Sequence, residues 1–449
     1  MRLSYLFFPI GVCACVSDPA VTDGGAGADG GTPQDGGAMM DQSVADQGAP
    51  PMTDVNGVVV DEYANPIANA AVRIGAVTAT TDAMGKFTLK ADPTYRIEIV
   101  YATTLTTTNK RVLIVDGLTT RTPILQTLAA TAQTAQTFTL TITGAGATVP
   151  AGQKIYTWTE PTSKTSDTGR LILAGQSTTQ AYAPSWYGAS PIAGKHNALL
   201  MTIATMGTFP TGFTSYGSSN TYSLAANGVA SATIGLNTNV TNSPVSGTIA
   251  FNGNAPSSLG ITYRSGGVSG PSFYDFATQA TSFALPMPNL FAWRAVVRSV
   301  ATTPSGGNAY VWKVGVQPGT MGLSLSHAAD LVPMAPNDGA TMVDPSTAFR
   351  WPARANTSFV LSAFCGTGFS PDVWVDVLTS STSTSIPNTT SLGSGLPPNG
   401  ACKWYVGAFG ATKTDDLVGP AGWQRLVTTA FADADGSLVQ SKLRGFTPK

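Results

Sequence analysis

The side chains that most often carry hydrolytic or metal chemistry are scarce in this chain and poorly grouped. Two histidines are present, His196 in AGKHNALL and His327 in LSHAADL. Neither adjoins a nucleophile motif, and no Gly-x-Ser-x-Gly elbow, Walker loop or His-Glu-x-x-His pattern occurs. Lys195 beside His196 points to a polar loop tip before an apolar strand, and Asp330 near His327 points to a junction between units. Both are expected to be structural or solvated rather than catalytic. The chain has three glutamates, Glu62 in a turn, Glu98 on an outward strand face, and Glu160. Glu160 with Asp167 is the least poor pair for glycoside hydrolysis, which needs two acids facing one cleft. Asp433-Ala434-Asp435-Gly436 offers calcium-type oxygens, but Ser437 to Lys442 supply no further acid, so a turn is expected. No catalytic residue, metal or cofactor is expected.

Aromatic side chains could mark a binding face, since sugar rings stack on exposed Trp and Tyr. Trp186-Tyr187, flanked by Pro184, Gly188 and Pro191, falls in a loop rather than on an alternating strand and is the best candidate. Trp374 and Trp423 come next. Packing is the competing role, expected for Trp351 and Trp404 from their periodicity and for Trp293 and Trp312.

These residues must be held by β structure. The chain has 449 residues, too many for one core, with 43% apolar residues to build several. Charged residues make up 11%, well under the usual quarter, so Thr, Ser, Asn, Gln and Gly must form the surface, as in exported β sandwiches. With 24 basic and 25 acidic residues the net charge is −1, which provides no electrostatic footprint for nucleic acid. The fold class expected is all-β: tandem β-sandwich domains behind a disordered N-terminal linker.

Arg2, the apolar run Leu3 to Val12 and Cys13-Ala14-Cys15 have the length and order of a signal peptide rather than of a membrane span. They resemble a bacterial lipoprotein signal, which implies that a cysteine is lipidated and begins the mature chain. Cys15 fits better than Cys13, because small Ala14 precedes it whereas branched Val12 precedes Cys13. The alternative is a plain secretory signal. Residues 16–54 contain no aromatic and no basic residue, and Asp18, Asp23, Asp29, Asp35, Asp41, Asp46 and Asp54 recur along them. That composition predicts a solvated, extended tether.

Residues 55–89, VNGVVVDEYANPIANAAVRIGAVTATTDAMGKFTL, read as a β run, a turn at Asp61 and Asn65-Pro66, a second run from Ala71, and Gly85 before inward Phe87 and Leu89. This is a hairpin signature. Gly57, Val59, Asp61, Pro66, Ala71, Val72, Thr81, Asp82, Gly85, Phe87 and Leu89 resemble the carboxypeptidase regulatory-like domain, which implies a non-catalytic, transthyretin-like sandwich over 55–128. Alternation of Tyr95, Ile97 and Ile99 with Arg96 and Glu98 predicts a further strand. Residues 129–243 form a β-rich unit whose topology the pattern leaves open, with strands at 137–143, 154–159, 171–174, 198–205 and 230–236 and at most a turn or two of helix over 129–136. VSGTIAFNG at Val245 echoes VNGVVVDEY at Val55, which predicts a second sandwich of the transthyretin-like type over 244–331.

Residues 332–432 carry Pro336, Asn337, Gly339, Phe349-Arg350-Trp351, Phe359-Val360-Leu361, Leu396-Pro397-Pro398-Asn399-Gly400 and Trp404-Tyr405-Val406. The pattern resembles a fibronectin type III or immunoglobulin-like sandwich. In such a fold the strand holding Phe359, Leu361, Ala363 and Cys365 pairs with the one holding Cys402, Trp404, Val406 and Ala408. The resemblance therefore implies a Cys365–Cys402 disulfide, which suits an oxidising compartment and would stabilise by roughly 3 to 4 kcal/mol. With each module keeping its own core, that effect is expected to stay within this module. Residues 433–449 are expected to be a tail.

Taken together these features predict a non-catalytic, lipid-anchored protein of the outer membrane or cell surface, resembling bacterial surface lipoproteins and acting as a scaffold or adhesive module. Its expected partners are the membrane, through the anchor, and a protein or glycan at the surface. The alternatives are a carbohydrate- or peptide-binding surface protein using Trp186 and Tyr187, and a secreted hydrolase whose site is not recognisable.

Overall fold

The computed structural model describes residues 51–61, 64–102, 110–127, 132–161, 170–187, 190–203, 209–265, 268–275, 280–366, 372–410, 413–419 and 434–449. The signal segment, Cys13, Cys15 and the tether up to residue 50 lie outside the described residues, as do Glu62, Asp167, Trp423 and Asp433. The described chain is almost wholly β, in several sheets, as its composition predicts.

The first unit comprises β1 (Thr53–Asp61), β2 (Ala71–Ile74), β3 (Val77–Thr80), β4 (Lys86–Ala91), β5 (Tyr95–Ala102), β6 (Lys110–Leu118) and β7 (Ile124–Thr127). β1 lies between antiparallel β4 and parallel β7, and the facing layer runs β6-β5-β2-β3. The expected hairpin of 55–60 with the run from Ala71 does not form. The connection between them is long enough to cross the sandwich, so β1 and β2 sit in opposite layers. Asp61 fixes its turn by accepting the Asn65 backbone N–H at 2.9 Å and the Asn65 Nδ2 at 3.0 Å. The true hairpin is β2–β3, which turns at Gly75 with φ of 57°. Glu98, expected on an outward face, is buried against Arg73 in an ion pair.

The second unit comprises β8 (Ala132–Thr134), β9 (Thr137–Thr143), β10 (Gln153–Pro161), β11 (Arg170–Ile172), β12 (Thr179–Tyr182) and β13 (Ser185–Tyr187). It continues with β14 (Ile192–Ile203), β15 (Pro210–Ser218), β16 (Tyr222–Leu224), β17 (Val229–Gly235) and β18 (Thr238–Asn239). Residues 132–134, read as a helical turn, are a strand because their backbone pairs with β13. The third unit comprises β19 (Val245–Ala250), β20 (Ala255–Ser265), β21 (Val268–Asp275), β22 (Ser282–Leu285), β23 (Trp293–Thr302), β24 (Asn308–Val316) and β25 (Leu323–Ser326).

These three units repeat one plan. A first strand (β1, β9, β19) is flanked by an antiparallel strand (β4, β12, β22) and a parallel last strand (β7, β17, β25). The opposite layers run β6-β5-β2-β3, β15-β14-β10-β11 and β24-β23-β20-β21. The echo between Val55 and Val245 is part of this repeat. Gly57 faces Phe87 and Gly247 faces Phe283 in register, and in each case a Cβ would collide with the phenyl ring. In β9 the corresponding pairing is made by Leu140 and Gln180, so no such signature survives there.

The fourth unit comprises β26 (Ala340–Val343), β27 (Phe349–Arg350), β28 (Thr357–Cys365), β29 (Val373–Thr379), β30 (Ser383–Thr384) and β31 (Cys402–Gly410). The short helix α1 (Thr414–Leu417) follows, and then β32 (Gly436–Gln440) and β33 (Arg444–Pro448). The expected tail thus contributes two strands, because Leu438, Val439 and Phe446 have a core to enter. The arrangement is a two-layered β sandwich, with β27 and β30 paired in one layer and β28 between β29 and β31 in the other.

A single sheet of 14 strands crosses the units in the order β21-β20-β23-β24-β32-β31-β28-β29-β6-β5-β2-β3, with β26 and β33 alongside. Its middle is buried on both faces. Phe359, Leu361 and Ala363 enter one core with Trp404, Val112 and Val375. Val360 and Leu378 enter the other, together with Val59, Phe87, Tyr310 and Trp312. The second unit joins the third through Trp158, Met201, Phe213, Tyr263 and Trp293. The expectation of separate module cores is therefore overturned, because apolar strand edges left by one unit are covered by the next.

Candidate functional site

The clearest grouping of ionisable side chains lies inside the 14-stranded sheet, where the fourth unit meets the first. Strands β29 and β6 run parallel, in register from Val373 opposite Lys110 to Leu378 opposite Val115. Since β29 has a core on each side, its alternation separates two buried rows rather than inside from outside. Val373, Val375 and Val377 take one row, leaving Trp374 and Asp376 on the other. Asp376 is 3% exposed. Its Oδ1 accepts the Ser362 hydroxyl at 2.5 Å and Trp374 Nε1–H at 2.8 Å. Ser362 is in register with both Asp376 and Tyr405.

Beside this carboxyl, the Arg111 guanidinium lies 4.5 Å from the centroid of the Trp374 ring, and Phe364 stacks on the same ring at 4.9 Å. Burial pushes the Asp376 carboxyl above the usual range, while Arg111, Ser362 and Trp374 pull it back only in part. Burial raises the Tyr405 phenol strongly as well, with nearby Asp376 adding to the effect. Nη1 of Arg111 has no hydrogen-bond partner among the described residues. Chemically, the cluster can hold one proton-sharing carboxyl and one cation in a dry junction, which favours a single strand register over a slipped one.

None of Arg111, Ser362, Asp376 and Tyr405 was anticipated from the sequence. The signal was present as a lone acid interrupting the apolar strand VWVDVLT and as Arg111, after Lys110, at the start of the apolar run of β6.

Other groups tie the same two units together. Arg73 donates to Ser391 Oγ at 2.9 Å, Lys110 Nζ to the Gly393 carbonyl at 2.6 Å, and Thr119 N–H to Asp415 Oδ1 at 3.0 Å. Cys365 and Cys402 are opposite each other in register and joined by a disulfide, with Cα atoms 4.1 Å apart.

The structure corrects the remaining candidates. Trp186 is 0% exposed, packed among Phe138, Leu140, Ile155 and Leu200, so its ring has no free face for a sugar. The Tyr187 side chain and that of Glu160 lie outside the described residues. His196 is not a loop tip but sits within β14, stacked on Phe138 at 4.7 Å with Nδ1 at 2.6 Å from the Tyr222 hydroxyl. Burial lowers its pKa to about 3. His327 is also buried, with Nε2 at 2.8 Å from Ser299 Oγ, and burial lowers its pKa to about 4. Asp435, directly before β32, pairs with Lys313 at 2.8 Å and accepts the Val314 backbone N–H at 2.8 Å. Among the described residues no three His, Cys, Asp or Glu side chains are placed to share a metal ion.

No family model matches the chain, and no curated protein matches it in sequence. Among solved structures it is similar to the Bacillus anthracis TIE protein, at 11% identity over 62% of this chain and 51% of that one, with a TM-score of 0.16. The chain thus spans about half the length of that protein. It is also similar to BcpA, the major pilin subunit of Bacillus cereus, at 8% identity over 62% of this chain and 100% of that one, with a TM-score of 0.15. A third is a Streptococcal ancillary pilin, at 8% identity over 62% and 99% of the two chains and a TM-score of 0.16. Superpositions this loose add nothing to what the chain's own strands and contacts define, which is an all-β protein of three repeated sandwiches and a fourth of different plan.

Proposed function

We propose that the protein is a non-catalytic scaffold, exported and held at the cell surface by a lipid on Cys15, whose folded part serves as a stiff body standing off the membrane on a tether that ends at residue 52, since Thr53 and Asp54, expected in the linker, are already paired with β4. The observation that carries this is the 14-stranded sheet, which joins the first, third and fourth units by backbone ladders rather than by flexible linkers. A continuous ladder resists bending between units, as a spacer or display platform requires. The disulfide fits an oxidising compartment. Burial of Trp186 removes the best candidate for glycan stacking, so the scaffold role is preferred to a sugar-binding one.

The test is fractionation and surface labelling of cells expressing the wild-type chain and Cys15→Ala. Wild type should appear in the membrane fraction, accessible to an impermeant label, and its N-terminal peptide should begin at Cys15 with acyl chains. The variant should lose the acyl mass and leave the membrane fraction. A wild-type chain that is cytoplasmic, or unacylated and freely soluble, would refute the proposal.

A further inference from the structure

Among the described residues the third unit meets the fourth in the shared sheet through one strand. The link is β32, which inserts between β24 and β31, pairing Trp312 to Asn308 on one side with Gly436 to Gln440, and Phe409 to Gly407 on the other with Leu438 to Gln440. The slot is shaped for a strand. A Cβ on Gly307 would collide with the Gln440 carbonyl, one on Gly410 would lie 2.5 Å from Ser437 Oγ, and one on Gly407 would lie 3.1 Å from Leu438 Cδ1. The inserted strand is matched in turn, since a Cβ on Gly436 would run into the Trp312 ring. Leu438 enters the core shared with the first unit and Val439 enters the core of the fourth, so adjacent side chains anchor the strand on both faces.

The flanking residues extend the grip. Trp312 Nε1–H donates to the Ala434 carbonyl at 2.9 Å, and Val314 N–H donates to Asp435 Oδ1 at 2.8 Å. Ser441 exchanges backbone and hydroxyl hydrogen bonds with Val406 at 2.8 and 3.1 Å. β33 then pairs Arg444 to Phe446 with Trp404 to Cys402. All these contacts are those of an extended peptide laid into a sheet, the geometry by which strand addition recognises its ligands.

We propose that the gap between β24 and β31 is a strand-acceptor site whose ligand is the extended segment 434–449, and that this segment binds there as a separable peptide. Backbone pairing supplies affinity, while the wall of Trp312 against Gly436 and the Leu438 and Val439 pockets supply selectivity for small residues at 436 and 437 followed by large apolar ones at 438 and 439.

The test uses the full chain with a protease recognition sequence placed within residues 420–433, folded first and then cut. After cutting, incubation with a tenfold excess of dye-labelled peptide 434–449 should exchange label into the protein up to one peptide per chain. The same peptide carrying Leu438→Asp and Val439→Asp should bind at least tenfold more weakly, and neither change affects folding of the acceptor. In the acceptor, Gly407→Val should reduce uptake to a similar extent. Failure of the cut protein to take up label, or equal uptake of the doubly substituted peptide, would overturn the proposal.

Discussion

Asp376 shows why a polar residue in an apolar strand must be judged by its neighbours. Removing it as Asp376→Ala would leave the buried Ser362 hydroxyl and the Trp374 Nε1–H without their acceptor, and each donor left unsatisfied costs about 1 to 3 kcal/mol. Asp376→Asn, which can still accept from Ser362 and Trp374, should cost about 1 kcal/mol. Urea unfolding of the two variants checks the difference, and equal losses would show that the charge, which both variants remove, rather than hydrogen bonding is at stake.

The histidines make a separate prediction at this scale. Their folded pKa values, about 3 for His196 and about 4 for His327, lie below the ordinary 6.5. The unfolded chain therefore binds more protons in that interval, and stability rises with pH there. These contributions are complete above about pH 6.5 and fall by about 1.4 kcal/mol per pH unit per histidine as the pH drops toward the folded values. Urea midpoints at pH 7, 6 and 5 should decline accordingly, and His196→Gln should flatten the slope by about half. The Asp376 carboxyl has the opposite sign, because its folded pKa is raised: its contribution is present at low pH and lost as pH rises through the folded value. Trp186→Ala should act through stability alone, lowering it by about 3 to 5 kcal/mol, with no effect on retention by immobilised glycans. A loss of glycan retention at unchanged stability would contradict its placement in the core.

Among the elements, strand positions were more legible than strand partners. TFTLTIT at 137–143 and SFAL at 282–285 coincide with β9 and β22, because alternation of large apolar with small polar residues is a local property. Pairing is not local. The hairpin expected between 55–60 and 71–76 failed because the nine residues of the connection, 62–70, neither force nor forbid a crossing between layers. The repeat was visible only where Gly57 and Gly247 preserve it. There a phenyl ring lies over the strand, so Gly57→Ala and Gly247→Ala should each destabilise by about 1 to 3 kcal/mol through overpacking, read as a shift in thermal midpoint. Alanine tolerated at both would mean that these rings do not hold the pairing. The disulfide was foreseen because strand parity and register coincide with it, whereas Arg111 and Asp376 went unseen because their meeting depends on a ladder between residues far apart in sequence.

At the scale of the whole molecule, the sequence suggested beads on a string, whereas in the structure the first, third and fourth units share a sheet and two cores and the second joins the third through another core. The reason lies in strands such as RVLIV in β6 and FVLSA in β28, which are apolar on consecutive residues and so need cover on both faces and at an edge. The central claim is that the first and fourth units are one cooperative body. Hydrogen exchange of the folded protein tests it most directly, comparing wild type with the Cys365→Ala, Cys402→Ala double variant. Removing the bridge should release about 3 to 4 kcal/mol of denatured-state constraint, a fall in protection of more than about a hundredfold for amides that open with global unfolding. Ile97, Ile99 and Val115 of the first unit should lose protection by the same factor as Val360 and Leu361 of the fourth. Unchanged protection at Ile97, Ile99 and Val115 while Val360 and Leu361 lose theirs would contradict that cooperativity.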